Sequence, residues 1–228
     1  MLLPALCAEC GRPLVDGEEV LCMHCRSRIP VSSTPGGTAS ALMDRIVPLG
    51  VPGLRVAVWT VYARDSMVAR LIRKGKYEGR PDVIRYLAGE FAAYLAATHS
   101  LDGIDVLQPV PMNLWRRLRR GYNQAEIIAR AIAGAASLPV ADALTARRHN
   151  PQARGDARRR EAQVQGVFRA RGRLQADGTV FHPDITGRNV ALVDDIITTG
   201  STAAEALAAL ATARPASLSF FALASPPR

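Results

Sequence analysis

The stretch Val190-Ala-Leu-Val-Asp-Asp-Ile-Ile-Thr-Thr-Gly-Ser-Thr202 decides the fold of this chain. It begins with four apolar residues, a pattern typical of a strand buried on both faces of a parallel sheet. Open α/β sheets bind ligands where such strands end. Thr202 and Glu205 have the spacing of a capping box, which places the N-terminus of an alanine-rich helix at this point. The stretch therefore predicts a strand, a ligand-binding loop and a helix in succession.

The same stretch carries groups that suit a sugar phosphate. Gly200 lets the backbone turn tightly, and the free amides and positive dipole of a helix N-terminus attract a phosphate. Asp194 and Asp195 can accept hydrogen bonds from the two hydroxyls of a ribose. A surface turn in which the acidic pair only caps the helix is the alternative, and both the preceding strand and the following loop argue against it. The hydroxyl donors of the loop are Thr198, Thr199, Ser201 and Thr202.

This stretch resembles, throughout, the thirteen-residue motif with which type I phosphoribosyltransferases bind phosphoribosyl pyrophosphate (PRPP). In that motif two acidic residues precede T-T-G-x-T. The resemblance implies that Asp194 and Asp195 hold the ribose hydroxyls at the catalytic centre, and that residues 198–202 hold the 5′-phosphate. The Gly-Lys-Ser/Thr of a nucleotide triphosphate loop is absent from the stretch, so triphosphate hydrolysis is not expected.

Displacing the pyrophosphate of PRPP builds charge on the leaving group, so cations and N–H donors aimed at it accelerate the reaction. We expect Mg²⁺ to lie between the pyrophosphate oxygens and the ribose hydroxyls, with few protein ligands. The segment Pro109-Val-Pro-Met-Asn113 follows a predicted strand and offers a cradle for the pyrophosphate. The expected contacts are Val110, Pro111, Arg120, Gln124 and Lys74. Lys74 and Lys76, in the turn of residues 73–77, are both expected to face the phosphate site, with ordinary cations at a helix end as the alternative.

The cradle continues into Arg116 and Arg120-Gly-Tyr-Asn-Gln124, and it resembles the V-P-x4-R-x3-R-G-[FY]-N-Q pattern of the ComF (competence protein F) family. The resemblance covers nearly the whole chain. It implies that the Arg-rich segment 147–160, with Arg148 and Arg160, forms a catalytic loop that closes over PRPP. The segment departs from the family pattern at Asn150, Gly155, Gln163 and Val167. A solvated Arg-rich connector is the alternative.

Two Cys-x2-Cys pairs near the N-terminus predict a metal site. They comprise Cys7, Cys10, Cys22 and Cys25. Four thiolates favour a closed structural Zn²⁺ site, with a rubredoxin-like iron or two redox pairs as alternatives. Such a short segment with few apolar residues needs a metal to fold. We call residues 1–29 the cysteine knob, and we expect it to dock a partner or to cover a sheet edge.

The remaining pattern predicts an α/β fold in which a mainly parallel sheet is flanked by helices, the type I phosphoribosyltransferase fold, plus the N-terminal zinc-binding knob. Residues 30–40 are a Pro/Gly/Ser/Thr-rich linker, and residues 41–228 form the phosphoribosyltransferase domain. The predicted strands span 54–62, 104–110, 140–146, 189–193 and 216–224. The predicted helices run from Asp65 to Gly75, from Pro81 onwards, from Asn123 to Ala136 and from Ser201 to Ala213.

Composition limits the possible functions. The formal net charge of +9 favours anionic partners. No apolar run reaches the ~18 residues that a membrane span needs, and the first residues make a poor signal peptide, so we expect a cytoplasmic protein without membrane insertion. Cys7 belongs to a predicted metal-binding pair, so we do not expect it to act as the nucleophile of a glutaminase. The alternative to a phosphoribosyltransferase of unknown acceptor is a non-catalytic protein that senses PRPP or handles single-stranded DNA, with a competence helicase as a partner. Trp115 and Tyr122 are the obvious stacking residues for DNA.

Overall fold

A computed structural model describes residues 4–31, 54–146, 167–175 and 180–227. Its centre is a four-stranded parallel sheet in the order β1-β8-β7-β2. The strands are β1 (Arg55–Val61), β2 (Val106–Pro109), β7 (Asn189–Ile196) and β8 (Ser217–Ser225). Each is apolar on both faces, as a sheet covered by helices requires. The predicted mainly parallel α/β architecture is confirmed.

Helices cover both faces of this sheet. They are α1 (Met23–Ser27), α2 (Met67–Tyr77), α3 (Pro81–Ala97), α4 (Leu114–Arg120), α5 (Gln124–Ala136) and α6 (Ser201–Ala211). One apolar cluster joins α2, α3, α5 and the buried cysteines to the sheet, and a second joins α6 to the opposite face. Two short antiparallel pairs complete the described elements: β3 (Leu144–Ala146) with β4 (Phe168–Ala170), and β5 (Arg173–Leu174) with β6 (Val180–Phe181).

Several predicted element ends differ from the structure. Strand β7 continues to Ile196, so Asp194 and Asp195 belong to the strand and not to the loop after it. Helix α2 does not stop at Gly75 but continues to Tyr77. Gly75 is there for space, because a Cβ atom on it would lie 2.3 Å from Ile84 Cγ1. This glycine therefore allows α2 to lie close against α3.

The predicted capping box at Thr202 and Glu205 is wrong. The N-cap of α6 is Gly200, whose φ of 82° lies in the left-handed region that glycine adopts without strain. Glu205 instead accepts a hydrogen bond from the Val167 amide through Oε1. Its carboxylate thus ties α6 to the segment that leads into β4.

The cysteine knob packs against the parallel sheet domain. Val31 forms an antiparallel bridge with Thr60 on the edge strand β1, and the Thr60 hydroxyl donates to the Pro30 carbonyl at 2.6 Å. Residues 30 and 31, which follow the knob, therefore pair with this sheet edge, and the expectation that the knob itself covers a sheet edge stays a prediction. The rest of the predicted linker and the Arg-rich segment 147–160 lie outside the described residues. Among the described helices, none has the length and apolar character that crossing a membrane requires.

Candidate functional site

An open cavity of about 920 Å³ lies at the carboxyl ends of β2 and β7. Parallel pairing places these ends side by side, with Pro109 opposite Val193 and the Val110 amide donating to the Val193 carbonyl at 2.8 Å. The acidic pair with its phosphate loop and the predicted pyrophosphate cradle therefore lie at the same cavity. The lining includes Val110, Pro111, Met112, Asn113, Arg120, Gln124, Asp194, Asp195 and Thr202 from the predicted segments.

The two carboxylates stand at the end of β7. Asp194 Oδ1 accepts from the Asp195 amide at 2.8 Å, and Asp195 Oδ1 accepts from the Ile196 amide at 2.7 Å. Burial, followed by the negative charge of Asp195, raises the pKa of Asp194 to about 8. Near neutral pH the pair therefore holds a proton on Asp194. One carboxylate and one carboxylic acid together can accept and donate hydrogen bonds.

Asp195 forms an ion pair with a lysine for which the sequence allowed two interpretations. Lys76 Nζ lies 2.5 Å from Asp195 Oδ2, and both side chains are largely buried, with exposed fractions of 17% and 13%. Lys76 also lines the cavity. A buried ammonium beside the acidic pair is positioned to meet an anionic ligand at the same place.

The loop between β7 and α6 has the geometry of an anion site. Gly200 turns the chain into α6, and the Thr199 and Ser201 hydroxyl oxygens lie 3.0 Å apart. Thr198 and Thr199 are exposed, and Thr202 lines the cavity. The first turn of α6 presents its amides and the positive end of its dipole beside these hydroxyls. The arrangement is suited to a phosphate.

The opposite wall is built by the segment between β2 and α5. Asn123 caps α5, and its Nδ2 donates to the Val110 carbonyl at 3.0 Å, which holds the cradle against the helix start. Arg120 donates to Gln124 Oε1 at 2.8 Å, and its guanidinium lies 5.2 Å from the centroid of the Tyr77 ring. These contacts fix one cation at the mouth of the cavity.

Lys74 is not brought to this cavity. Its Nζ donates to the Ala8 carbonyl of the cysteine knob at 2.6 Å. Lys74 and Lys76 are two residues apart on a helix, so their side chains leave α2 in different directions. Of the two lysines, only Lys76 lines the cavity. Arg148 and Arg160 lie outside the described residues, so their predicted catalytic role stays a prediction.

Sequence reasoning did not predict how other parts of the wall are joined. The Tyr122 hydroxyl donates to the Gly75 carbonyl at 2.5 Å and so joins the cradle to the end of α2. Tyr77, Arg119 and Phe168 also line the cavity. No local pattern pointed to these contacts, because each depends on segments that are distant in sequence. For Lys76, the Lys-Gly-Lys pattern of residues 74–76 was the one feature of the sequence that indicated a place near the site.

The four cysteines fit a metal. Their sulfur atoms all lie within 4.8 Å of one another, and Cys10 Sγ is 3.8 Å from Cys22 Sγ. Four thiolates at about 2.3 Å from Zn²⁺ require similar separations. The amide of Cys22 donates to Cys7 Sγ, and that of Cys25 donates to Cys22 Sγ, both at 3.4 Å. Such donors orient and stabilise thiolate ligands.

The thiols also show why a cation suits this site. Burial acts to raise the pKa of Cys7, but amide hydrogen bonds from Cys10 and Cys22 outweigh it and lower that pKa to about 6. Burial and the neighbouring thiols raise the pKa of Cys25. Cys7 and Cys25 therefore cannot both be thiolates unless a positive charge lies near them.

Comparison with known proteins agrees with this geometry. The family described as Phosphoribosyl transferase domain matches residues 118–228, which include β7, the loop and α6. Competence protein F of Haemophilus influenzae is 30% identical over 209 residues, which span 79% of this chain and 86% of that protein. The chain belongs to the competence protein F family. The family resemblance and the phosphoribosyltransferase fold predicted from the sequence are thus confirmed.

Other relatives extend the competence protein F family match along the chain. DNA utilization protein YhgH of Escherichia coli K12 is 24% identical over 217 residues, which span 90% of each chain. Competence protein ComFC of Bacillus subtilis is 24% identical over 203 residues, which span 83% of this chain and 77% of that protein. The similarity therefore extends beyond the transferase domain alone.

Proposed function

We propose that the cavity binds PRPP and that the protein transfers its phosphoribosyl group to an acceptor, releasing pyrophosphate. One observation carries the proposal: Asp194 and Asp195 near the end of β7 and Thr202 after the left-handed Gly200 turn line one cavity together with Lys76. A diol and a phosphate joined by one ribose suit a cavity that has a carboxylate pair beside the start of a helix. A phosphate alone would not need the acidic pair.

Each wall has its own task in this proposal. The acidic pair holds the ribose hydroxyls, and the first turn of α6 with Thr198, Thr199, Ser201 and Thr202 holds the 5′-phosphate. The pyrophosphate lies between Lys76 and the cradle of Val110 and Pro111. During transfer the bond from C1 to the pyrophosphate oxygen breaks, its electron pair leaves with the pyrophosphate, and the acceptor supplies the pair for the new bond. Preorganised cations stabilise the charge that develops on the leaving group.

Mg²⁺ would bind at the same place with few direct protein ligands, because the oxygen atoms of PRPP beside Asp194 and Asp195 are the ligands that this ion prefers. When bound with PRPP, it neutralises charge on the pyrophosphate. Arg148 and Arg160, which lie outside the described residues, are proposed to act on the same ligand. Zn²⁺ occupies the cysteine knob and takes no part in the chemistry, since four sulfurs leave no open coordination position.

A thermal-shift measurement tests the binding step. PRPP with Mg²⁺ should raise the melting temperature, because a ligand that binds only the folded state stabilises it. The double substitution Asp194→Asn with Asp195→Asn should abolish the shift. Asp184→Asn is the matched control, since Asp184 is an exposed carboxylate away from the cavity lining. An unchanged shift in the double variant would contradict the assignment of the acidic pair.

Pyrophosphate release tests the transfer step. The metal-loaded protein is incubated with PRPP, Mg²⁺ and a panel of amines, bases and other nucleophiles, and pyrophosphate is quantified. We expect release that depends on one acceptor class and that is lost in the Asp194→Asn, Asp195→Asn variant. Binding of PRPP without release for any acceptor would support a PRPP sensor in place of an enzyme.

A second candidate function rests on helix α4. This helix exposes Arg117 and Arg119 with Trp115 and Leu118, whose exposed fractions are 64% and 69%. Cations that contact phosphates and an aromatic ring that stacks on bases are the usual elements of a single-stranded DNA surface. Relatives are named for competence and DNA utilization. In this alternative the protein handles DNA, with a helicase as a partner.

Binding of a fluorescent oligonucleotide distinguishes the two candidates. The DNA function predicts measurable affinity that falls steeply as salt rises and that drops several-fold in Trp115→Ala. If single-stranded DNA stabilises the protein and PRPP does not, the DNA function replaces the transferase. If only PRPP stabilises it, the exposed face of α4 serves another purpose.

A further inference from the structure

Helix α2 is held at its outer side by the cysteine knob. Lys74 donates to the Ala8 carbonyl at 2.6 Å, and Arg70, one turn earlier on the same face, donates two hydrogen bonds to the Glu9 carboxylate. Ala8 and Glu9 are the two residues between the first pair of cysteines. Their positions therefore follow directly from the arrangement of the four sulfur atoms.

The same helix is held on its other side by the cavity. Lys76 pairs with Asp195 at 2.5 Å, and the Gly75 carbonyl accepts the Tyr122 hydroxyl. Gly75 also lies against Ile84 so closely that no Cβ atom fits. Residues 74–76 thus contact the knob, helix α3 and the cavity wall within less than one turn, and a displacement at one contact is passed to the others.

We propose that Lys74 and Arg70 are positioning residues through which metal binding at the cysteine knob sets the affinity of the cavity for PRPP. The inference rests on the proposed function. With the metal bound, the knob fixes Ala8 and Glu9, these residues fix the last turns of α2, and the helix fixes Lys76 beside Asp195. Lys76 then meets the pyrophosphate without first having to be ordered.

Metal loss removes the first step of this chain of contacts. The knob has four sulfurs at its centre, so without a cation it loses the interaction that organises it. Lys74 and Arg70 then lose their acceptors, and the final turn of α2 keeps its contacts with helix α3 and the cavity wall but not those with the knob. Ordering Lys76 becomes part of the cost of binding PRPP. The affinity for PRPP falls although no cavity residue has changed.

Thermodynamic reciprocity gives this coupling a readout that does not depend on activity. If the metal raises the affinity for PRPP by a factor, PRPP must raise the affinity for the metal by the same factor. We expect about ten-fold, within the usual range of coupling between two sites. The Zn²⁺ affinity is measured by competition with a chromophoric chelator, with and without PRPP and Mg²⁺. The Asp194→Asn, Asp195→Asn variant corrects for Zn²⁺ that free PRPP itself binds.

Substitutions at α2 test the route. Lys74→Met keeps the length of the side chain and removes its charge, so the metal-loaded variant should bind PRPP about five-fold more weakly and lose most of the reciprocal effect on Zn²⁺. Lys74→Arg restores a donor and should recover part of both. Arg73→Met is the matched control: Arg73 is an exposed cation on the same turn whose guanidinium reaches the Arg64 carbonyl and not the knob.

The outcomes separate the coupling from the function on which it rests. If the metal-loaded protein does not bind PRPP, the proposed function fails and the coupling fails with it. If PRPP binds with equal affinity to the metal-loaded and chelated proteins, or if Lys74→Met binds like Arg73→Met, the coupling is wrong while the function stands. If chelation unfolds the chain, the metal-loaded Lys74→Met and Lys74→Arg variants decide the question.

Discussion

The cysteine knob and the cavity are specified in opposite ways. The knob takes its four sulfurs from two short pairs between Cys7 and Cys25, and their spacing alone predicts the cluster. The cavity draws its lining from segments that stretch from Lys76 to Thr202, and it exists only after β2 and β7 pair. A metal site can therefore be predicted from local spacing, whereas a ligand cavity needs the long-range topology.

The first prediction tests whether the knob is merely an appendage. Cys22 is fully buried, accepts the Cys25 amide and lies in the same apolar cluster as α2 and α3. Cys22→Ser removes a metal ligand inside that cluster, so we expect the free energy of unfolding to fall by about 3–5 kcal/mol. Chemical denaturation with and without Zn²⁺ measures the loss. His24→Ala is the control, because His24 lies between Cys22 and Cys25 but outside the sulfur cluster. A stable Cys22→Ser protein would show that the domain does not depend on its knob.

The second prediction concerns the glycine where the two regions meet. Gly75→Ala puts a methyl group into Ile84, which is fully buried and cannot move away, and the overpacking should cost about 1–3 kcal/mol of unfolding free energy. Gly89→Ala on α3 is the matched control. A Cβ atom there meets nothing within 4 Å, so the better helix propensity of alanine should leave the protein unchanged or up to about 1 kcal/mol more stable. Equal effects at the two glycines would contradict the close contact of α2 with α3.

Gly75 also shows where prediction from the sequence stops. A glycine after an apolar-periodic stretch predicts a helix end, and this expectation is wrong because the helix uses Gly75 for packing against Ile84. Local patterns contain no information about which neighbour comes close. The same limit applies to Lys74. Lys74 and Lys76 stand in equivalent sequence surroundings, but the partner of Lys74 is the Ala8 carbonyl and not a cavity residue.

Much of the site was nevertheless predictable. The strand, the acidic pair and the glycine turn follow one another along the chain, and the structure brings Asp194, Asp195 and Thr202 to one cavity. The capping box failed because Glu205 found the Val167 amide, a residue far away in sequence. Contacts between residues that are close in sequence were therefore predictable from residue types. Contacts between distant segments were predictable only where two of them end at the same edge of the sheet.

The third prediction uses the pH dependence of stability. The pKa of Asp194 is raised from 3.8 to about 8, so the folded state keeps a proton that the unfolded state releases. Unfolding free energy should therefore fall as pH rises from about 4 to about 8 and level off above that range. Asp194→Asn removes the buried charge and should be more stable than the parent at pH 8, with the difference vanishing towards pH 4. Urea titrations across this range measure it. If the unfolding free energy of Asp194→Asn changed with pH in the same way as that of the parent, Asp194 would not be the titrating group.

The last prediction concerns a single hydrogen bond between the cavity wall and α2. Tyr122→Phe removes the hydroxyl that donates to the Gly75 carbonyl, and we expect a loss of about 1 kcal/mol in unfolding free energy, the usual net value of one such bond. Tyr94→Phe supplies the comparison. The Tyr94 hydroxyl is buried and meets no hydrogen-bond partner within the described part of the chain, so its removal should be neutral or stabilising. Opposite signs for two chemically identical changes would show that the Tyr122 contact, and not the loss of a hydroxyl as such, joins the cradle to α2. A loss of similar size in both variants would contradict a specific role of the Tyr122 hydroxyl in joining the cradle to α2.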